Sequence, residues 1–209
     1  MSEAFKKAFF QLIKFLETIE KEKDTKYYIV GGLLSSIYAV YRTTQDIDFV
    51  IDLQSKNIEL SHFISLLGKN SFKPFQDWKT TLELANDTKL IQFFDEQEMV
   101  KYDCHLIDKY NQNMYKRIGP LTLENRVREK IFNIECWVAS KEDFILSKLV
   151  YGGWQDYSDA LGCWLRFGSK LNIVYLEKTS QELRVEREFQ LLRSGIDDPD
   201  EYFTKLKNY

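Results

Sequence analysis

The sequence predicts an α/β (α+β) fold, a small mixed-sheet core followed by a mainly helical C-terminal portion. Three observations predict it. The chain opens as helix, strand, Gly-Gly turn, helix, strand; further strand-like runs follow as far as Ile107; and from Ser140 onward helical spacing takes over.

Taken in order, residues 3–20 set Phe5, Phe9, Leu12, Ile13, Leu16 and Ile19 at helical spacing, and Lys21-Glu22-Lys23-Asp24 is a charged stop. Tyr27-Tyr28-Ile29-Val30 is a short β-rich run that ends at Gly31-Gly32. Leu33 to Tyr41 reads as a short helix, and Asp46-Ile47-Asp48-Phe49-Val50-Ile51 as a second strand. A helix over 58–67 and a break at Pro74 come next, then strand candidates at 80–85, 90–94 and 99–107. Past Tyr110 the pattern changes. Ile134–Val138 reads as a short strand, and Ser140 followed by Lys141-Glu142-Asp143 as a helix N-cap with acid in the first turn. Helices are expected at 141–151, 155–166, 169–177 and 180–194. The expected division is residues 1–110 against 111–209, near Asn111-Gln112-Asn113 and Gly119-Pro120.

At 209 residues, 44% hydrophobic and 15% aromatic, the chain has the means to bury a core. Its 29 basic and 32 acidic residues leave a net charge of −3, which disfavours a strongly basic nucleic-acid binder but allows a local basic groove. Cys104, Cys136 and Cys163 are far apart and form no CxxC pair, and His62 and His105 are the only histidines. A disulfide framework, a structural zinc site and a zinc peptidase are thereby excluded, and no GxSxG elbow supports a serine hydrolase. No apolar run approaches the ~18–20 residues of a membrane span, and the N-terminus is amphipathic rather than signal-like. A cytoplasmic protein with no membrane partner is expected.

The chemistry concentrates in Gly31-Gly32, Ser35 and the stretch from Arg42 to Asp48. Residues i and i+2 of a strand face the same way, about 6–7 Å apart. Asp46 and Asp48 therefore present their carboxylates on one face, and such a pair repels itself unless a cation stands between. Hard oxygen donors with room for water and phosphate suit Mg²⁺. Two glycines at a strand-to-helix junction let backbone amides approach a ligand, and a helix N-terminus favours an anion. Ser35, one turn in, adds a hydroxyl. A phosphate cradle beside paired carboxylates points to a metal-bridged nucleoside triphosphate.

Gly31-Gly32, Ser35 and Asp46-Ile47-Asp48 resemble the Gly-Gly/Ser plus DxD signature of the polymerase-β-type nucleotidyltransferase superfamily. Arg42-x-Thr44-x-Asp46-Ile47-Asp48 is similar to the RxTxDID form of its bacterial members, among them the AbiEii-like abortive-infection toxins. The resemblance implies a third carboxylate on a later strand. Asp103 fits best, because the apolar residues at 100, 102, 104 and 106 leave it on the opposite face; Asp108, at the strand end, is the alternative. Ser140-x-Glu142-Asp143-x-Ile145-x-x-Lys148-Leu149, with Asp156 and Asp159, resembles the KLxAxRxKDxxD segment of the toxin branch. Here the family's Arg and Lys fall at Gly153 and Gln155.

What this implies is a nucleotidyltransferase moving a nucleoside monophosphate from a triphosphate, ATP among the candidates, to an acceptor hydroxyl. Asp46, Asp48 and Asp103 would be catalytic and hold a two-metal site of Mg²⁺ or Mn²⁺. Gly31, Gly32, Ser35, Arg42 and Lys148 would contact the nucleotide. RNA or tRNA is the first acceptor and a small molecule such as an antibiotic the second; an antitoxin protein is the expected partner. The different-class alternative is an inert nucleotide-binding regulatory protein. Blander roles stand beside these: Arg42 as a structural partner of a DxD carboxylate, His105 as a surface residue, Asp156 and Asp159 as helix N-terminal charges, and Arg126, Arg128 and Lys130 as a solvated helix or loop face rather than an RNA-binding patch.

Overall fold

Apolar side chains at positions 5, 8, 9, 12, 13, 15, 16 and 19 make one buried face of helix α1 (Glu3–Lys23). Ser2 caps its start by accepting from the Phe5 amide, and Asp24, in the left-handed region, ends it. The computed structural model describes residues 1–108 and 114–207. After α1 come β1 (Tyr27–Val30), α2 (Gly31–Tyr38), β2 (Asp46–Ile51), α3 (Leu60–Lys69), β3 (Lys73–Pro74), α4 (Trp78–Thr88), β4 (Leu90–Phe94) and β5 (Lys101–Leu106). Then follow α5 (Met114–Asn125), β6 (Val127–Ile131), β7 (Ile134–Val138), α6 (Lys141–Tyr151), α7 (Trp154–Phe167), α8 (Ile173–Glu182), α9 (Glu186–Leu192) and α10 (Pro199–Lys207). The α/β class expected from the sequence is what the chain adopts.

The chain divides into two units. The first comprises Met1–Leu33, Thr43–Tyr110 and Arg126–Val138; the second comprises Leu34–Arg42, Asn111–Asn125 and Ala139–Tyr209. The chain thus passes from one unit to the other repeatedly, whereas the expected single cut at 110/111 lies outside the described residues.

Among the described residues the first unit carries a seven-stranded mixed sheet in the order β3-β4-β5-β2-β1-β7-β6. β2 lies antiparallel to β1 and parallel to β5, with Asp46 beside Lys101 and Asp48 beside Asp103. One face of the central strands is apolar: Ile47, Phe49, Ile91, Phe93, Tyr102 and Cys104 are fully buried. α1 packs there, tied by the Tyr102 hydroxyl donating to the Ala8 carbonyl at 2.9 Å and by Phe15 stacking edge-on against Phe72. The opposite face of β2 and β5 is only half-buried and carries the polar residues of both strands.

Two segments of the first unit depart from expectation. Residues 80–85, expected as a strand, lie inside helix α4, although Thr80, Leu82 and Leu84 alternate there. Asp77 accepts from the Thr80 amide, the Thr81 hydroxyl donates to the Asp77 carbonyl, and Thr81 and Ala85, one turn apart, face inward. A cap and an i,i+4 buried pair outweigh a three-residue alternation. The basic stretch 126–130, read as a helix or loop face, is the edge strand β6, paired antiparallel to β7. Its arginines are structural: Arg126 donates to Glu20 and to the Tyr27 carbonyl and lies 4.1 Å over the Trp137 ring, while Arg128 pairs with Glu17 at 2.6 Å.

The second unit is helical, as expected for the later chain. α6 starts at Ser140, whose hydroxyl oxygen accepts from the Asp143 amide, and stops at Gly152, whose φ of 73° suits a residue without a side chain. α5 and α10 were not anticipated.

Candidate active site

Asp46, Asp48 and Asp103 meet on the half-buried face of the first unit. Alternation along β2 turns Ile47 and Phe49 into the core and both aspartates outward, and the parallel register sets Asp103 directly beside Asp48. Their side chains keep 39%, 20% and 14% of their exposure. Each has a local partner. Thr44 Oγ1 donates to Asp46 Oδ1 at 2.8 Å, Gln92 Nε2 donates to Asp103 Oδ1 at 3.0 Å, and His105 Nε2 stands 3.9 Å from Asp48 Oδ1. Asp108 falls beyond the end of β5.

Lys101 is the residue that sequence reasoning missed. Its ammonium lies 2.8 Å from Asp103 Oδ2 and 3.8 Å from Asp46 Oδ2. The hydrogen bond to Asp103 holds its pKa above the ordinary lysine value. The alternation that assigns Asp103 to this face assigns Lys101 and His105 to it as well.

The Gly-Gly turn closes on the same carboxylates. Gly31 has a φ of 71°, and a β-carbon placed on it would stand 1.9 Å from Asp48 Oδ2. Only glycine lets the turn and the Asp48 carboxylate share this space. α2 begins here, with Gly31, Gly32 and Leu33 in the first unit, and continues into the second.

The remaining expected site residues form a separate cluster within the second unit, around Asp159. This carboxylate is 2% exposed. Its Oδ2 accepts from the Ser35 hydroxyl at 2.8 Å and from Arg42 Nη2 at 3.3 Å, and lies 2.9 Å from Lys148 Nζ. Lys148 also reaches Asp156 at 2.8 Å. A phosphate contact from Ser35, Arg42 or Lys148 would therefore exchange with a bond to Asp159.

The donor set of the first cluster fits a hard divalent cation in kind, because it is all carboxylate oxygen on adjacent strands. It is not a closed cage: among the described residues no group of three or more His, Cys, Asp and Glu is arranged to hold a metal ion. The three cysteines are buried, and burial pushes the Cys136 and Cys163 thiols up to about 12, which removes them as nucleophiles. No described helix is long and apolar enough to cross a membrane.

The model of a family described as nucleotidyltransferase of unknown function (DUF6036) matches residues 7–187. The chain belongs to that family. No curated protein matches this DUF6036 chain. Among solved structures, the fold resembles an antigenic nucleotidyltransferase-like protein from Paracoccidioides brasiliensis, with a TM-score of 0.53, 14% identity, and 92% of this chain and 95% of that one covered. A lincomycin-bound lincosamide antibiotic adenylyltransferase, LnuA, superposes with a TM-score of 0.43 at 16% identity, over 73% of this chain and 94% of that one. The first likeness shows that the DUF6036 chain has a nucleotidyltransferase-like fold.

Proposed function

We propose that this protein transfers a nucleoside monophosphate from a nucleoside triphosphate to an acceptor hydroxyl, on the carboxylate face of β2 and β5. The observation that carries the proposal is the junction of Asp48 with both Asp103 and Gly31: a carboxylate pair in register, pressed against a glycine turn that opens a helix. Membership of a nucleotidyltransferase family supports it.

In this reading Asp46 and Asp48 would hold a magnesium or manganese ion, which would supply positive charge against the triphosphate. Gly31 and Gly32, having no side chains, let a phosphate approach the backbone of the turn closely. Asp103 accepts the proton of the acceptor hydroxyl. The hydroxyl oxygen bonds to the α-phosphorus, the bond to the bridging oxygen breaks, and pyrophosphate leaves. Gln92 and Lys101, each on one oxygen of Asp103, hold that carboxylate in place for the transfer. A second ion shared with Asp103, as the superfamily resemblance implies, would compete with the Lys101 ammonium.

We further assign RNA, tRNA included, as the acceptor, a toxin-like role of the AbiEii type, and an antitoxin protein as partner. The motif from Arg42 to Asp48 supports the branch. An acceptor that carries bases is supported by Phe94, which sits opposite Lys101 in the β4–β5 register, and by Phe75, which stacks on it at 15° and 5.5 Å and is 55% exposed. Bases splay onto such rings in single-stranded RNA.

The test offers each α-labelled nucleoside triphosphate with Mg²⁺ or Mn²⁺, and total RNA, an antibiotic panel and the protein itself as acceptors. Label on RNA that disappears with Asp46→Ala is the expected result. Label on a small molecule instead would replace the acceptor and the toxin role while keeping the reaction. Triphosphate binding without transfer to any acceptor would favour an inert nucleotide-binding protein.

A further inference from the structure

Lys101 does more than the proposed reaction asks of a surface lysine. On β5 it precedes Asp103 by two residues, so both side chains rise from the same face, and the parallel register sets it beside Asp46. Its ammonium stands between two carboxylates of the site, 2.8 Å from Asp103 and 3.8 Å from Asp46. Carboxylates gathered on one face repel each other unless a cation stands among them. Lys101 supplies one from the chain itself, and it does so on the Asp103 side. On the Asp48 side stands the His105 imidazole, its Nε2 3.9 Å from Asp48 Oδ1, and the DxD pair is left as the place for a divalent ion.

We propose that Lys101 is a built-in cation in the place of a second metal ion: the site takes one divalent ion, at Asp46 and Asp48, and Lys101 occupies one oxygen of Asp103 and keeps that carboxylate oriented toward the acceptor hydroxyl. The inference rests on the nucleotidyl-transfer reading of this face and makes Lys101 a positioning residue that acts through Asp103. A divalent ion at Asp103 would compete with the Lys101 ammonium for that carboxylate, because the two cations repel each other.

The experiment counts bound Mn²⁺ by electron paramagnetic resonance titration, which needs no turnover, on wild type, Lys101→Met, Lys101→Arg and Asp48→Ala, each with a non-hydrolysable triphosphate analogue. Thermal melts establish that each variant is folded. Wild type should bind one ion beyond that carried by free nucleotide controls. Lys101→Met should bind a second at least about tenfold more tightly than wild type does. Lys101→Arg, which keeps the charge, should return to one. Two ions of similar affinity in wild type, or superimposable titrations for wild type and Lys101→Met, would overturn the proposal. Loss of the ion in Asp48→Ala with no change in Lys101→Met would remove the Lys101 inference and leave the metal-dependent reading standing. Retention of the ion in Asp48→Ala would remove both. Should Lys101→Met not fold, Lys101→Gln and the wild-type stoichiometry carry the same decision.

Discussion

The two units each gather aspartates around a lysine, and they do opposite things with them. In the second unit Asp159 is 2% exposed, and Ser35, Arg42 and Lys148 converge on its Oδ2. In the first unit Asp46, Asp48 and Asp103 stand half-exposed on adjacent strands, with one lysine among them and a glycine turn against Asp48. The difference comes from the elements. Helix side chains at the core of a bundle are enclosed on all sides, and a buried charge survives there only when paired and hydrogen-bonded. Strand side chains on the second face of a sheet stay accessible at their tips, so like charges can be held close with donor capacity to spare. A carboxylate enclosed among its partners supports the fold; one whose tip stays in reach of solvent is available to a ligand.

The largest effect that could break this contrast is expected at Gly31. Gly31→Ala puts a methyl group onto the Asp48 carboxylate and a side chain into the left-handed region, so transfer should fall about 10³-fold or more, the several kcal/mol that charge stabilisation of the transferring phosphate is worth. The melting temperature should change far less than the rate; a protein that simply unfolds would show the turn to be structural. Asp159→Ala tests the other side. Removing one partner of a buried ion pair should cost about 3 kcal/mol of stability by denaturant unfolding. A variant as stable as wild type would mean that the Asp159 cluster is a site and not a brace.

A smaller effect sharpens the contrast through pH. Burial raises the Asp143 carboxyl above its ordinary value of 3.8, outweighing the hydrogen bonds from Tyr175, Ser140 and Asn125 that lower it; it is fully buried, the Tyr175 hydroxyl donates to its Oδ1 at 2.6 Å, and Oδ2 has no hydrogen-bond partner among the described residues. The folded form thus holds the proton more tightly than the unfolded chain. Asp143 contributes fully to stability below pH 3.8, and that contribution is lost as pH rises through the raised folded value. Asp143→Asn should therefore melt higher than wild type at pH 8, with the gap closing toward pH 4. The smallest expected signal is an absence: the three buried thiols should resist a thiol reagent at pH 7.5 in the native protein and react on unfolding. Rapid native labelling would show that one of the cores opens.

Much of the first unit was legible before its coordinates. The alternation of Asp46, Ile47, Asp48 and Phe49 carries both the strand and its two faces, and the same rule picked Asp103 over Asp108. Lys101 was legible by that rule too and was passed over because it was not an acid. The helix α4 hid behind the alternation of Thr80, Leu82 and Leu84; the deciding signal was Asp77 three residues before Thr80, a local cap. What could not be read is what lies far apart in the chain. Ser35 meets Asp159 across 124 residues, and Arg126 meets Glu20 across 106. A hydroxyl after a Gly-Gly turn looks like a phosphate ligand until its partner is seen, and an arginine-rich run looks like a nucleic-acid patch until α1 is seen to supply the acids.

The most direct measurement is single-turnover label transfer from an α-labelled triphosphate by wild type, Asp48→Ala and Asp103→Asn, all shown folded by thermal melting. Transfer by wild type, none by Asp48→Ala, and triphosphate binding without transfer by Asp103→Asn is the predicted pattern. Undiminished transfer by Asp48→Ala would contradict the assignment of the reaction to this carboxylate face.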